Sequence, residues 1–264
     1  MQEQLTMFSP SPSEEAPSVG QLIEEGYLFV LNHSGGKDSQ AAYIRLRGMI
    51  PEGQLIVVHA ILHEVDWAGI PEHIEATVSH PVYYVAAAKS LLDMVEHRGM
   101  FPSPSQRQCT SDLKRGPIET FIRRYLREHP EFAGKVVNAM GLRAEESPAR
   151  AKIKDTLKKN DGNSKAGRSW FDWLPIHEMT EGQVFRAIAD AKQTPHPAYA
   201  AGMSRLSCCF CIMANTADLT TAARLQPELY RRYVELERKH DHTMSMSRKT
   251  LPEITGIDVE EVHA

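Results

Sequence analysis

Short apolar runs alternate along the chain with segments of helical periodicity. The apolar runs resemble buried strands and cover residues 27–31, 55–62, 82–85, 135–140 and 170–176. Helical spacing or helix-start signals follow at residues 40 onward, 71–78, 86–96, 117 onward and 180–192. Strands that are apolar along their whole length and separated by helices are typical of a parallel sheet with helices on both faces. The pattern therefore predicts an α/β, Rossmann-like fold.

The same pattern divides the chain into three parts. Residues 1–20 are rich in Pro, Ser and Glu and predict a flexible tail. Residues 21–212 contain the alternating strands and helices and all of the cysteines, and they predict the main domain. Residues 213–264, with strong helical spacing over 227–240, predict a helical C-terminal extension.

Composition and charge narrow the class of protein. A chain of 264 residues with 42% hydrophobic residues is large enough for one substantial core. A net charge of -4 excludes a protein that is basic overall, so any polyanion would have to bind a local patch. The chain begins without a basic segment followed by an apolar one, and no run approaches the roughly 18 apolar residues of a membrane span. We therefore expect a cytoplasmic protein without membrane contact, in which cysteines bind metal or perform chemistry.

The first predicted strand ends in a glycine turn that opens a helical segment. Gly35 and Gly36 lack a Cβ, so backbone N–H groups can approach an anion at the positive end of the helix. Ser34 and Ser39 add hydroxyl groups, Lys37 adds a positive charge, and Asp38 can cap the helix or hold a metal that bridges phosphates. The spacing differs from the Walker loop and from G-x-G-x-x-G. A phosphate-binding loop is favoured over a turn whose glycines serve geometry alone.

Further charged residues follow two other predicted strands. His63, Glu64 and Asp66 come directly after strand 55–62, and Arg143 and Arg150 follow strand 135–140, where parallel sheets present ligand-binding loops. Residues 150–168 contain seven Lys or Arg and two Asp, with several Gly and Asn residues. This composition predicts a mobile lid or arm. It is either a solvated loop or a contact with triphosphate or nucleic-acid phosphates.

The four cysteines are Cys109, alone, and Cys208, Cys209 and Cys211 close together. Packing explains three cysteines within four residues poorly, because adjacent side chains cannot all point into one core. A thiolate-bound metal is favoured, either zinc or an iron–sulfur cluster. The uneven division of the ligands favours a [4Fe-4S] cluster over zinc. Cys209 is either the fourth ligand or a bystander.

Four segments together resemble the phosphoadenosine phosphosulfate (PAPS) reductase family of the PP-loop ATP pyrophosphatases. They are S-G-G-K-D-S at 34–39, R-Q-C-T-S-D-L-K at 107–114, G-L-R-A-E-E-S at 141–147 and H-P-A-Y-A-A-G-M-S-R-L-S-C-C-F-C at 196–211. The resemblance implies an adenine nucleotide alpha hydrolase-like fold. It also implies that residues 34–39 bind phosphates, that the strand carrying His59 faces adenine, and that Arg143 lies beside the nucleotide.

One departure from the family changes the expected reaction. Sulfonucleotide reductases use a cysteine in a C-terminal E-C-G-L-H segment, whereas this sequence has no cysteine after Cys211. The chain looks more similar to divergent bacterial and phage members, including subunits of DNA phosphorothioation systems. The resemblance then implies an ATP pyrophosphatase that activates an acceptor for sulfur transfer. DNA, tRNA and a small metabolite all fit as the acceptor, and the positive charge of residues 150–168 favours a nucleic acid. A reductase using an external thiol, and a zinc-containing binding module without turnover, are the alternatives.

These expectations assign roles to individual residues. Ser34, Gly35, Gly36 and Ser39 would hold the departing pyrophosphate of ATP, Lys37 would neutralise it, and Asp38 with Mg²⁺ would orient it. Arg143 and Arg150 would steady the α-phosphate. Cys109, Cys208, Cys209 and Cys211 would hold the cluster, and family analogy implies a cysteine desulfurase as the sulfur donor.

Overall fold

A six-stranded sheet forms the centre of the computed structural model, which describes residues 17–261. Its strands are β1 (Leu28–Asn32), β2 (Leu55–Ile61), β3 (Val82–Ala86), β4 (Lys135–Met140), β5 (Leu157–Lys159) and β6 (Ser169–Trp173). They lie in the order β3-β2-β1-β4-β6-β5. In this part of the chain β5 pairs antiparallel with β6, and the other neighbours pair in parallel. The predicted α/β fold with a parallel sheet is confirmed.

Helices connect the strands and extend beyond the last one. They are α1 (Val19–Glu24), α2 (Lys37–Arg47), α3 (Ile70–Thr77), α4 (Leu91–Arg98), α5 (Gln108–Thr110), α6 (Gly116–Glu128), α7 (Pro148–Ala151), α8 (Glu181–Asp190), α9 (Thr216–Leu225), α10 (Pro227–His240) and α11 (Leu251–Thr255). A π-helical turn, Ser111–Arg115, joins α5 to α6.

Both faces of the sheet are buried because successive side chains of a strand point to opposite sides. In β1, Phe29 and Leu31 belong to the larger core, which also contains residues of α2, α8 and the C-terminal helices. Leu28 and Val30 belong to a second core with residues of α6. The continuous apolar character of the strand follows from this double burial.

The boundaries of several elements differ from the sequence prediction. Helix α2 begins at Lys37, directly after the glycine turn, and not near residue 40. Strand β6 ends at Trp173, three residues before the predicted end. The helix predicted over 86–96 begins only at Leu91, because Ser90 accepts a hydrogen bond from the Asp93 N–H and caps it. Within the predicted lid over 150–168, residues Leu157–Lys159 form β5, which pairs with β6 in a hairpin at the edge of the sheet.

The two ends of the chain also bear on the predicted division into domains. Most of the predicted tail, residues 1–16, lies outside the described residues, and Val19 and Gly20 belong to α1. The region 213–264 is helical over α9, α10 and α11, as predicted. These helices contribute Leu219, Tyr230 and Leu251 to the larger core, so they pack on the main domain.

Candidate functional site

The glycine turn between β1 and α2 adopts a conformation that requires glycine. Gly35 has a φ of +77°, and a Cβ on it would lie 2.5 Å from Cδ1 of Ile70 at the start of α3. Gly36 is the N-cap of α2, and a Cβ there would lie 3.2 Å from the Tyr199 hydroxyl. The turn therefore brings backbone close to two neighbouring segments at the positive end of a helix.

Hydrogen bonds within the turn hold its shape. The Ser34 N–H donates to Ser39 Oγ at 3.1 Å, and Ser39 Oγ donates to the Gly36 carbonyl at 2.8 Å. The Gly35 N–H donates to Nδ1 of His33 at 3.1 Å, which places the proton of the neutral His33 ring on Nε2. Ser39 therefore has a structural role in the loop, in addition to the phosphate contact predicted for it.

Two buried histidines lie beneath the turn. Burial, with His59 and His73 nearby, lowers the pKa of His33 to about 3, so its ring is neutral near pH 7. Nδ1 of His59 lies 2.8 Å from the His33 carbonyl oxygen, and the His59 ring packs edge-on against Tyr84. His59 thus fixes the residue that opens the loop. Its predicted contact with adenine stays a prediction.

Lys37, Asp38 and Arg143 form one charged group. Nε of Arg143 donates to Asp38 at 2.6 Å, and Nζ of Lys37 lies 3.6 Å from the other Asp38 oxygen. The group continues outward to Glu145, which accepts from Arg143 at 2.6 Å, and to Glu181, 3.2 Å from Lys37 Nζ. Burial lowers the pKa of Arg143, but Asp38 and Glu145 outweigh this and raise it, so the guanidinium is charged. The three residues predicted to be catalytic are therefore in contact.

Two adjacent parallel strands bring these residues together. Asp38 follows β1 and Arg143 follows β4, and the two strands pair along their whole length. A Cβ on Gly141 would lie 2.8 Å from the Asp38 carbonyl oxygen, so the end of β4 passes directly against the start of α2. The chain passes from β1 outward to β2 and β3 and then returns to β4 on the other side of β1. The direction of winding therefore reverses between β1 and β4, which is the position where open α/β sheets bind ligands.

Arg150 lies outside this group. Its guanidinium pairs with Glu146, and its carbonyl oxygen accepts from Nε2 of His177 at 3.0 Å. Glu146 also accepts from the Arg143 N–H at 2.8 Å, so Arg150 reaches the site only through that loop. Its predicted contact with the α-phosphate stays a prediction.

Tyr199 and Ser204 contact the turn, although sequence reasoning gave them no role. The Lys37 N–H donates to the Tyr199 hydroxyl at 3.0 Å, and Lys37 Nζ donates to the Ser204 carbonyl at 3.1 Å. The Lys37 ammonium also lies 5.2 Å from the centre of the Tyr199 ring. Both residues lie in segment 196–211, which carries part of the resemblance to the PAPS reductase family. In that segment only the cysteines were predicted to have a function.

Three of the four cysteines influence one another. A hydrogen bond between Cys208 and Cys211 raises the pKa of Cys208 and lowers that of Cys211, so the Cys208 thiol donates to the Cys211 thiolate. Burial and Cys211 raise the pKa of Cys109. The pKa of Cys209 is raised to about 12 by burial and by the Asp66 carboxylate. The charges of Cys109, Cys208 and Cys211 thus affect one another's pKa values, whereas the charge that affects the pKa of Cys209 most is that of Asp66.

Tyr233 of α10 lies beside these thiols. Its side chain is fully buried, and its hydroxyl has no hydrogen-bond partner among the described residues. Burial and the four cysteines raise its pKa. An unpartnered buried hydroxyl costs about 1–3 kcal/mol, which indicates that this site suits a group able to accept a hydrogen bond. Among the described residues, no three or more His, Cys, Asp or Glu side chains are arranged so that together they could hold a metal ion.

The chemistry of the two regions differs. The glycine turn offers a helix N-terminus, a lysine and an arginine, which together suit the phosphates of a nucleotide. The thiols offer soft, polarisable ligands, which suit zinc or an iron–sulfur cluster. Segment 196–211 belongs to both regions, because Tyr199 contacts the turn and Cys208 and Cys211 supply the thiols.

A protein-family comparison and a search of curated proteins give related results. The model of the phosphoadenosine phosphosulfate reductase domain matches residues 29–214. An uncharacterized 37.8 kDa protein of Escherichia phage 186 is 31% identical over 148 residues. That match covers 56% of this chain and 42% of the phage protein, so the chain spans less than half of the relative's length.

A search of solved structures gives low-scoring similarities, two of which follow. The PAPS reductase of Candida auris, a phosphate complex, has a TM-score of 0.45 and 12% identity over 68% of this chain and 80% of that one. FMN adenylyltransferase of Candida glabrata, with FAD and inorganic pyrophosphate, has a TM-score of 0.46 and 14% identity over 74% and 67%. Separately, the helices described here include none that is both long and apolar enough to cross a membrane.

Proposed function

We propose a function from one premise: the chain belongs to the phosphoadenosine phosphosulfate reductase domain family, whose model matches well over half of it. The proposed enzyme binds ATP at the turn of residues 34–39 and breaks the bond between its α and β phosphates. The observation that carries this proposal is the contact of Lys37 and Arg143 with Asp38, beside a glycine turn at the N-terminus of α2.

The proposed reaction transfers AMP to an acceptor oxygen. The oxygen forms a bond to the α-phosphorus, and pyrophosphate leaves with the electron pair of the broken P–O bond. Lys37 neutralises charge that develops on the leaving pyrophosphate, and Arg143 neutralises charge at the α-phosphate. The bound α-phosphate would replace the carboxylate of Glu145, which is half exposed, as an ion-pair partner of Arg143. Asp38 is the carboxylate that would hold Mg²⁺, a cation that prefers oxygen ligands.

The cysteines extend this proposal to sulfur transfer. Cys109, Cys208 and Cys211 would hold a [4Fe-4S] cluster, and the unpartnered Tyr233 hydroxyl supports a group with hydrogen-bond acceptors among them. When bound, such a cluster would supply sulfide-level sulfur, which would bond to the activated acceptor atom while the adenylated oxygen leaves with AMP. A cysteine desulfurase is the proposed donor, and its persulfide sulfur would need two electrons from an external reductant. DNA or tRNA is the proposed acceptor, a small metabolite is the alternative acceptor, and zinc is the alternative metal.

Release of pyrophosphate from ATP tests the nucleotide chemistry. Alanine at Lys37 removes the cation at the leaving group, and we expect release to fall by about 100-fold or more. Lys135→Ala is the matched control, because Lys135 lies at the opposite end of the sheet and donates to the Glu25 carbonyl. Equal pyrophosphate release by the Lys37 variant and the wild type would reject the proposed role of the turn.

A second candidate function is reduction of a sulfonucleotide by an external thiol, which the name of the matching family model favours. Incubation with PAPS, thioredoxin and thioredoxin reductase would then yield sulfite. Absence of sulfite, with pyrophosphate released from ATP in the same preparation, would favour the first proposal.

Metal and sulfide analysis after anaerobic purification separates the remaining alternatives. A brown protein with about four iron and four sulfide per chain supports the cluster. A colourless protein with one zinc that binds ATP without hydrolysis supports a binding module without turnover.

A further inference from the structure

Tyr199 places a hydroxyl group where a phosphate would bind. Its oxygen accepts from the Lys37 N–H at 3.0 Å, and a Cβ on Gly36 would lie 3.2 Å from it. Phosphates at helix N-termini bind to these same first N–H groups. The hydroxyl therefore belongs to the proposed phosphate site.

The hydrogen of this hydroxyl is available to a ligand. Burial raises the pKa of Tyr199, against the lowering effect of hydrogen bonds from the Lys37 and Leu206 amides, so the phenol keeps its proton. The Lys37 amide donates to its oxygen at 3.0 Å, and within residues 17–261 no hydrogen bond donated by the Tyr199 hydroxyl is found. A phenol whose oxygen accepts from an N–H group presents its own hydrogen in another direction.

The segment that carries Tyr199, residues 196–211, also forms hydrogen bonds with Lys37 and with helix α9. Lys37 Nζ donates to the Ser204 carbonyl at 3.1 Å. Ser204 donates through its N–H and its hydroxyl to Asp218 of α9, at 2.7 Å each, and Asp218 is fully buried. Ser204 is therefore a fixed link between the lysine of the turn and the cysteines that follow.

The end of this segment that contains the cysteines is also held by a hydrogen bond. The Cys209 N–H donates to the Val65 carbonyl at 2.8 Å, in the loop after β2. Leu206 lies on the turn, since its Cβ and its carbonyl oxygen are each 3.4 Å from a Cβ on Gly36. Cys208 follows two residues later. The segment from Tyr199 to Cys209 is thus held at one end by the turn and at the other by the loop after β2.

We propose that Tyr199 is a phosphate-binding residue whose hydroxyl donates to the nucleotide held by the turn, and that this contact couples nucleotide binding to the cysteines at 208–211. This inference rests on the proposed function, because it needs a nucleotide at residues 34–39. It adds a binding residue on the segment that also supplies the thiols.

Binding measurements test the first half. Calorimetric titration with ATP and with inorganic pyrophosphate compares the wild type, Tyr199→Phe and Tyr230→Phe. Loss of one hydrogen bond to a charged group predicts roughly 10- to 100-fold weaker binding by Tyr199→Phe. Tyr230→Phe removes a buried hydroxyl in α10 and should bind like the wild type. Thermal unfolding of each variant verifies that it is folded.

The outcomes separate the two proposals. Wild-type protein that binds neither probe rejects the nucleotide site, and this inference falls with it. Wild-type protein that binds, with Tyr199→Phe binding equally well, rejects the role of Tyr199 and leaves the proposed function standing.

Cysteine alkylation tests the coupling. The rate of modification of each cysteine by iodoacetamide is followed by mass spectrometry, with and without saturating pyrophosphate. Pyrophosphate should change the rates at Cys208, Cys209 and Cys211 in the wild type, and should change them less in Tyr199→Phe at equal occupancy. Unchanged rates in the wild type at full occupancy overturn the coupling.

Discussion

At the scale of single residues, the candidate site depends on positions that only glycine can occupy. Gly35 has a positive φ, and a Cβ on it would collide with the side chain of Ile70. Gly141 lies so close to the backbone of Asp38 that a Cβ would collide there as well. His33 is buried and uses its Nδ1 to accept the Gly35 N–H. These residues shape the turn through contacts within the protein.

Alanine at Gly35 should destabilise the fold and weaken nucleotide binding. The left-handed backbone costs about 1–2 kcal/mol for a residue with a Cβ, and the contact with Ile70 adds to this. Urea unfolding measures the loss. Gly182→Ala is the control, because Gly182 lies in α8 with open space around it, and alanine there should leave stability unchanged or raise it. Equal stability of the Gly35 variant and wild type would contradict the strained turn.

Replacement of His33 by asparagine should reduce the loss of stability in acid. The folded pKa of about 3 lies below the ordinary 6.5, so the unfolded chain binds a proton that the folded chain does not. The stability contributed by neutral His33 is present above pH 6.5 and is lost as pH falls toward 3, by about 1.4 kcal/mol per pH unit. The side-chain oxygen of the asparagine can still accept the Gly35 N–H, so the turn keeps this hydrogen bond.

Urea unfolding at several pH values measures this difference. The free energy of unfolding should fall less steeply with acid in His33→Asn than in the wild type. Replacement of the exposed His97 by Asn serves as the control and should keep the wild-type slope. An identical slope in the His33 variant would show that this ring does not titrate on unfolding.

At the scale of elements, helix starts determine where the charges of the site lie. Helix α2 begins at Lys37, directly after the turn, and α8 begins at Glu181, which pairs with Lys37. The start of α8 is fixed by a capping box, in which Thr180 and Gln183 satisfy each other's backbone N–H groups. The cap thus bears on both stability and the position of a partner of Lys37.

Alanine at Thr180 should lower the free energy of unfolding by about 1 kcal/mol, because the Gln183 N–H loses its acceptor. Serine at the same position keeps the hydroxyl and should retain most of the stability. Chemical denaturation of the three proteins measures both effects. A serine variant as unstable as the alanine variant would assign the loss to the methyl group and not to the cap.

The β5–β6 hairpin is the element to test for nucleic-acid binding. Lys158 and Lys159 are exposed on its edge strand, where lysines also discourage unwanted strand pairing. If they contact phosphates, alanine at both should reduce the dependence of log K on log salt by roughly 1.5–2. Binding of DNA and of tRNA measured across salt concentrations tests this, with Arg124→Ala on α6 as an exposed control. An unchanged salt dependence would show that the two lysines do not contact phosphates and would leave them the role of preventing strand pairing at the sheet edge.

At the scale of the whole molecule, residues far apart in sequence meet around the thiols. Cys109 precedes α6, Cys208 and Cys211 follow β6 and α8, and Tyr233 comes from α10. Phe210 and Phe101 pack on the Tyr233 ring, with ring centres 5.0 and 5.7 Å away. The C-terminal helices therefore complete the surroundings of the cysteines.

Phenylalanine at Tyr233 should stabilise the metal-free protein by about 1–3 kcal/mol, because it removes a buried hydroxyl without a partner among the described residues. Tyr230→Phe is the matched control and should destabilise, since its hydroxyl donates to the Ile257 carbonyl at 2.7 Å. If the cysteines hold the proposed iron–sulfur cluster, the gain at Tyr233 should shrink, because the cluster would supply an acceptor for the hydroxyl. Unfolding measured before and after anaerobic reconstitution compares the two states, and a destabilised metal-free Tyr233 variant would count against this account.

The sequence by itself determined the fold class and the turn. Strands buried on both faces must be apolar throughout, so β1, β2 and β4 were visible within one residue of their ends. Gly35 and Gly36 were recognisable because only glycine permits such a turn. Lys37, Asp38 and Arg143 were found together because parallel strands present their carboxyl ends at the same edge of the sheet.

Only the tertiary structure decided which distant residues complete the site. Tyr199, Ser204 and Tyr233 are polar residues without a local pattern, and their roles come from contacts made across long stretches of sequence. The folding of residues 157–159 into the sheet also depends on β6, since a three-residue strand has no periodicity to recognise. Local sequence determines conformations that neighbouring residues impose, whereas contacts between segments depend on how the whole core packs.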